Sequence, residues 1–297
     1  MTPGNIQKAI HQIFEKKGMP FLVILVGGLF ILESKFALRK RKISRWQRYW
    51  TNSKMAAVAA AGFRYLLIPA QVAAAMHSSS RKAGILHHLN LLPKWLRLPL
   101  GFLLLDYGNY TWHALNHYLP VLWRFHQVHH SDLDLDLSTA FRFHLGEIIP
   151  SVIYRGGVIW MIGLPWRGVL LYEILFEAAN NFHHSNIKLP SKLHYQLSKL
   201  IVTPAMHGIH HSIVKEETGS NFSVIFTFWD SLHKTLKLDI PQEELNIGMP
   251  SYRDLEELKI KDLLVMPFKK VRDWKFPDGS IPSRDKLYID NLAIKKK

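Results

Sequence analysis

The sequence predicts an all-α integral membrane protein with about four to five membrane helices. Two observations support this fold class. Of the 297 residues 48% are hydrophobic, although 38 are Lys or Arg and 23 are Asp or Glu, so apolar blocks alternate with strongly polar ones. The net charge is +15, and the basic runs lie close to the apolar blocks. This arrangement favours an anionic membrane surface over nucleic acid as the partner.

Four regions could enter the membrane and supply up to five crossings, since a helical span needs about 20 mainly apolar residues; the short apolar block at 21–32 could instead lie at the interface. The first, 21–38, is followed by basic residues rather than by a cleavage site, so we expect it to be retained. The next two are 55–76 and 96–112. Residues 147–181 are too long for one span, and GLPWRG at 163–168 is typical of a tight turn, so we expect a helical hairpin there.

Orientation follows from the basic run RKRKISRWQR at 39–48, which should lie on the cytoplasmic side. If all five segments cross, residues 113–146 and everything after 181 also face the cytoplasm. The dense histidine motifs then fall on one face, where we expect a cytosolic helical cap that holds a metal site. The membrane itself, bacterial inner membrane or endoplasmic reticulum, stays open.

Two histidine clusters are the strongest functional signal in the chain. WRFHQVHHSD at 123–132 and PAMHGIHHSI at 204–213 both contain His-x-x-His-His. With 17 histidines in the chain, two such copies are expected in roughly one shuffled sequence in a thousand. Composition alone therefore does not explain the repetition.

Helical geometry supplies a reason for the spacing. Residues four positions apart lie on one helix face, so each such pair can bind one cation. The middle histidine of each cluster is rotated by about 100° from its following neighbour, so it can reach toward a second cation or a different face. Two neighbouring metals fit this pattern better than one. The pairs are His113 with His117, His126 with His130 and His207 with His211, and the middle histidines are His129 and His210.

The rest of the composition narrows the chemistry. The chain has no cysteine, which excludes disulfides, thiolate metal sites and cysteine nucleophiles. Imidazole ligands suit zinc, copper, iron or nickel, so the residues alone leave the metal open. The absence of His-Glu-x-x-His argues against a metalloprotease, and the absence of Glu-x-x-His argues against a ferritin-like carboxylate bundle.

Further candidates lie beside the clusters. In NNFHHSNI we expect one of His183 and His184 to bind metal and the other to pack beside it or to hydrogen-bond a ligand. His144, in FRFH, is balanced between a ligand, a hydrogen-bond partner of a ligand and a residue of a substrate pocket. The carboxylates that can accept a hydrogen bond from a ligand imidazole, each of which can equally cap a helix, are Asp106, Asp132, Glu147 and Asp230.

The order and spacing of these blocks resemble the fatty acid hydroxylase superfamily, which includes the sterol desaturases and consists of membrane-bound di-iron oxygenases. The resemblance runs from about Leu98 to Leu238. It rests on DYGNYTWHALNH, LWRFHQVHHSD, STAFRFHLGE, NNFHHSNI, TPAMHGIHHS and NFSVIFTFWDSLHKTL. The family often has proline at the position of Leu145, and phenylalanine and glycine at those of His233 and Lys234.

The resemblance implies a cofactor of two iron ions, dioxygen as co-substrate and electrons from an external donor protein. It implies hydroxylation or desaturation of an unactivated C–H position in a lipid that arrives from the membrane, with no catalytic residue beyond the metal ligands. Helices at 96–112 and 147–181 are expected to line the lipid's entrance. Carried over residue by residue, the implied ligands are His113, His117, His126, His129, His130, His184, His207, His210 and His211.

The chain then divides into three parts. Residues 1–97 form N-terminal membrane helices and a basic loop, 98–238 form the hydroxylase-like catalytic core, and 239–297 form a cytosolic tail of short helices and loops. The main alternative is a membrane transporter or storage protein for metal ions, which would place ionisable residues along its embedded helices. A scaffold without activity, a nucleic-acid binder and a soluble helical protein are weaker alternatives.

Overall fold

The structure is a computed structural model that describes residues 3–89, 91 and 93–284. Its described residues form helices and loops joined by three isolated β-bridges, without an extended strand. The predicted all-α class is confirmed. The end of the predicted tail, 285–297, lies outside the described residues.

The first helix, α1, is longer than the apolar block that predicts it. It continues through Pro3–Ile10, a π-helical stretch His11–Gly18 and Met19–Lys35. Ile10 and Phe14 are buried in a cluster with side chains of later helices. Because this packing stabilises the polar first turns, the helix begins well before the hydrophobic run.

The second helix, α2, is also continuous, through Arg45–Gly62, Phe63–Leu67 and Ile68–Arg81. Arg64, the charge inside its apolar half, lies 2.5 Å from Glu15 of α1 and so pairs with a carboxylate rather than facing lipid alone. The helix ends where Lys82 adopts a left-handed conformation, with φ of 50°.

Three further long helices follow: α3 is Lys94–Tyr118, α5 is Leu145–Ile162 and α6 is Trp166–His184. Two shorter ones carry the histidine clusters: α4 is Pro120–His130 and α7 is Pro204–His210. The chain between α5 and α6 turns as predicted. Gly163 ends α5 with φ of 80°. A Cβ added to Gly84 would lie 2.6 Å from the Cα of Gly163, so the loops after α2 and α5 meet at one end of the molecule.

Within the part of the chain that the structure describes, three helical segments are long and apolar enough to cross a membrane: Gly4–Lys35, Arg45–His88 and Leu145–Ile162. The predicted spans in α3 and α6 are not among them, since Asp106, Glu173 and Glu177 dilute their hydropathy. Membrane association is thus supported by the helices of α1, α2 and α5, and the number of crossings stays a prediction.

Much of the predicted tail packs on the core. Met249, Leu263 and Met266 are buried in one cluster with Val128 of α4 and Met55 of α2. Prolines interrupt its helices, as expected, but its short elements carry enough apolar side chains to cover the outer face of α4. This part of the chain therefore stabilises a histidine-bearing helix.

Candidate metal centre

Four helices bring the predicted ligands together in the interior. Two lie near the end of α3, three in the last turns of α4, one at the end of α6, and the rest in and just after α7. Pro120 and Pro204 occupy the first turns of α4 and α7, where proline's fixed φ favours helix initiation. Each proline therefore sets where its helix starts, a few residues before the cluster.

The nine histidines form two groups. Within each group, one nitrogen per ring lies within 4.8 Å of the corresponding nitrogens of the others, which is close enough to hold one cation. Each His-x-x-His-His cluster is divided: its outer pair belongs to one group and its middle histidine to the other. The five-histidine group is His113, His117, His126, His130 and His210, and the four-histidine group is His129, His184, His207 and His211.

The two groups adjoin each other. In the four-histidine group, the Nε2 atom of His184 lies 3.1 Å from that of His129 and 2.9 Å from that of His207. Across the boundary, the rings of His130 and His211 stack with centroids 4.4 Å apart. The arrangement suits two cations side by side.

Backbone carbonyls fix several of the rings. The Nδ1 atoms of His113 and His210 donate to the carbonyls of Phe222 and Ser220, at 2.8 and 2.7 Å. The Nδ1 atom of His184 donates to its own helix, 2.8 Å from the carbonyl of Asn180. An imidazole that donates from Nδ1 keeps a lone pair on Nε2, and that lone pair is what a metal binds.

One ring is held by a carboxylate instead. The Nδ1 atom of His126 donates to Glu147, with its two oxygens at 3.2 and 3.3 Å. Such a carboxylate orients a metal-binding histidine and raises its basicity. Glu147 is therefore the one carboxylate named at the outset that contacts a predicted ligand.

The residues present fit a pair of metal ions. Nε2 of His126, Nε2 of His210 and both ring nitrogens of His130 are buried without a hydrogen-bond partner in the described chain. Leaving a buried polar atom unpaired costs about 1–3 kcal/mol, and a shared cation removes that cost. Burial lowers the pKa of His184 to about 3 and holds the pKa of His129 and His211 well below the ordinary value, so the rings are neutral and able to bind metal.

Two histidines offered as further candidates lie outside both groups. His183 packs beside His207, with ring centroids 4.1 Å apart, and its Nδ1 donates to the Val224 carbonyl. His144 accepts from the backbone N–H of Gly146 and lies 3.1 Å from the Leu264 carbonyl, so it caps α5 and anchors the C-terminal segment. The geometry thus gives His144 a capping role at the start of α5, outside both histidine groups.

Three predicted hydrogen-bond partners of the imidazoles do not touch a histidine ring. Asp106 accepts from Tyr172, Trp229 and the backbone N–H of Phe226. Asp132 accepts from Arg48 and Asn52. Asp230 acts indirectly. It accepts hydrogen bonds from the backbone N–H groups of Phe222 and Ser223, and thereby positions the Phe222 carbonyl that orients His113.

A buried arginine beneath the first cluster was not anticipated. Arg48 is 4% exposed and lies 2.7 Å from Asp132 and 2.6 Å from Asp136. It joins α2 to the loop that follows His130. The basic run 39–48 indicates topology, but nothing in its composition separates a buried arginine from a surface one.

A cavity of about 710 Å³ reaches the metal centre. Its outer wall includes Met19 and Val23, which are 43% and 65% exposed, so it opens beside α1. Its inner wall includes His129, His184 and His207. Residues of 147–181 line the cavity, as expected. The entrance is lined mostly by α1 and α2 and not, as expected, by 96–112.

Comparison with known families assigns this core. The model of the fatty acid hydroxylase family matches residues 98–235, which contain both histidine groups. Residues 98–235 belong to the fatty acid hydroxylase family. The resemblance drawn from the motifs is thereby confirmed.

Three relatives illustrate the activities found with this domain. An ornithine lipid hydroxylase from Rhizobium tropici is 27% identical over 53% of the chain and 46% of its own length. Human alkylglycerol monooxygenase is 26% identical over 47% of the chain and 30% of its own length. Rat cholesterol 25-hydroxylase is 25% identical over 52% of the chain and 51% of its own length. The chain thus spans about half or less of these relatives. No solved structure matches it.

Proposed function

We propose that the protein is a membrane-bound di-iron oxidoreductase that uses dioxygen to hydroxylate or desaturate an unactivated C–H position of a lipid. One observation carries the proposal: nine histidines divide into two adjacent groups at the inner end of an apolar cavity. The three relatives described above are named as hydroxylases or monooxygenases. None of these names supports the alternative of a metal transporter or storage protein.

The histidines do not select iron by themselves, because imidazoles also bind zinc and copper. Iron is proposed from the family. When bound, two iron ions would supply the activation of dioxygen, which together with two electrons and two protons converts C–H to C–OH and releases water. The electron donor is proposed to be a separate protein that reaches the cytoplasmic face.

The protein's side chains would hold the metals, orient the imidazole rings and position the substrate. The nine imidazoles would bind the metals, and Glu147 with the carbonyls of Ser220, Phe222 and Asn180 would fix ring orientation. The apolar wall formed by Leu22, Phe63 and their neighbours would exclude water and admit an acyl or sterol-like skeleton. A substrate could then present one carbon to the centre from the membrane side.

The test compares His129→Ala and His210→Ala, one from each group, with the exposed His77→Ala as the control. We expect the wild-type protein to hold about two metal equivalents, iron after anaerobic loading, and both variants to lose metal and lipid oxidation while still inserting into the membrane. Lipid analysis of cells with and without the active protein identifies the product. Full lipid oxidation in either group variant would contradict the proposal.

A further inference from the structure

A polar patch interrupts the apolar wall of the cavity. Arg155 of α5 and Glu173 of α6 are 7% and 4% exposed, and their side chains pair at 2.5 Å. Glu177, one turn further along α6, lines the same cavity. Ionisable residues at such depth in a membrane protein are costly and ordinarily serve a ligand or a pathway.

The patch has hydrogen-bonding groups that the protein itself does not use. Among the described residues Arg155 uses one of its five N–H donors in a hydrogen bond, to Glu173, and its guanidinium carbon is 4.9 Å from the centroid of the Phe176 ring. Glu177 forms no ion pair within the described residues; its carboxylate is near the amide of Asn180. Donors and an acceptor therefore face the cavity together.

The patch is aligned with the metal centre along one helix face. Glu173, Glu177, Asn180 and His184 follow the i, i+4, i+7, i+11 spacing of a single helical stripe, and all four line the cavity. At 1.5 Å per residue, Glu177 lies about 10 Å and Glu173 about 16 Å from His184 along the axis. A substrate group bound at the patch would therefore be held far from the carbon that is oxidised.

The chemistry of the patch selects one kind of group. A carboxylate only accepts hydrogen bonds and a guanidinium only donates them. A hydroxyl does both, whereas a substrate ammonium would face Arg155 and a substrate carboxylate would face Glu173 and Glu177. A plain alkyl chain would leave the buried polar atoms unpaired, which is costly.

We infer that Arg155, Glu173 and Glu177 form a recognition site for a lipid hydroxyl that lies about 10–16 Å from the carbon to be oxidised. This inference rests on the proposed function, since it assigns a substrate class to the same cavity. It identifies the substrate as a hydroxylated lipid attacked at a remote position, not beside its polar group.

The binding test uses the metal-loaded protein in nanodiscs, without reductant, and two probes of equal chain length, 1-hexadecanol and 1-methoxyhexadecane. The ether oxygen of the second probe accepts a hydrogen bond but cannot donate one. We expect the wild-type protein to bind the alcohol about tenfold more tightly than the ether, because a hydrogen bond to a charged group is lost with the ether. In Glu177→Leu the two affinities should fall within about twofold of each other. The exposed Glu216→Gln is the matched control and should keep the preference.

Glu177→Gln retains an acceptor and should keep part of the preference, which separates recognition from misfolding. Equal binding of both probes to the wild-type protein, or an undiminished preference in folded Glu177→Leu, would overturn the inference. With iron and a reductant, oxidation should occur about 10–16 Å from the hydroxyl of the extended probe; oxidation next to the hydroxyl would also overturn it. Selective alcohol binding without oxidation of any lipid would support the recognition site and contradict the proposed function.

Discussion

The ring of His126 shows how a single ligand is built. Glu147 holds its Nδ1, and its Nε2 is left buried without a protein partner. The spacing of the clusters predicts which histidines share a helix face, and that division agrees with the two groups. The acceptors behind the rings were not predictable, because the carbonyls of Ser220 and Phe222 belong to the backbone and leave no signature in the sequence.

The contact between Glu147 and His126 can be tested by substitution. Replacing it with alanine should weaken metal binding by about 10- to 100-fold, because His126 loses the partner that orients it. Glu147→Gln keeps a carbonyl acceptor and should fall between the wild type and Glu147→Ala. Anaerobic titration against a competing chelator measures the affinity, and unchanged affinity in Glu147→Ala would show that the contact does not support the metal.

Among the elements, the short helices depend on their surroundings. Helix α4 has 11 residues, too few for stability alone, and is covered by the C-terminal segment on one side and braced through the loop after His130 on another. The sequence predicts the histidine motif on a helix because the spacing matches one turn. It does not predict the brace, since Arg48 and Asp132 are 84 residues apart and only the tertiary fold brings them together.

Arg48→Leu should therefore destabilise the protein. Removing one partner from a buried ion pair typically costs about 3–5 kcal/mol, because Asp132 and Asp136 would be left buried without their cation. Thermal unfolding in detergent should show a clear loss relative to Arg272→Leu, which removes an exposed pair worth less than about 1 kcal/mol. Equal unfolding temperatures for the two variants would mean that the buried network does not brace α4.

For the molecule as a whole, hydropathy predicts where the helices lie in the sequence better than it predicts which helices pack together. The apolar blocks correctly indicate helical segments at α1, α2 and α5, but they do not show that α1 starts at Pro3 or that α1 and α2 form the cavity's entrance. Those features depend on a buried cluster that joins Phe14 to Ile68 and Leu170, which are distant in sequence. The carboxylates of α6, Glu173 and Glu177, line the cavity, whereas Asp106 of α3 accepts hydrogen bonds from Tyr172 and Trp229.

The orientation can be tested with single cysteines, since the chain has none of its own. Lys82→Cys lies after α2 and should be labelled by an impermeant maleimide from the non-cytoplasmic side. Lys215→Cys follows α7 and should be labelled only after the membrane is permeabilised. The unmodified protein supplies the background, and labelling of both sites from the same side would contradict the predicted topology.

The division of the histidines into two metal-binding groups is most directly tested by iron-edge anomalous diffraction from anaerobically loaded crystals. We expect two peaks per chain, one among His113, His117, His126, His130 and His210, the other among His129, His184, His207 and His211. A single peak, or iron bound away from these rings, would contradict it.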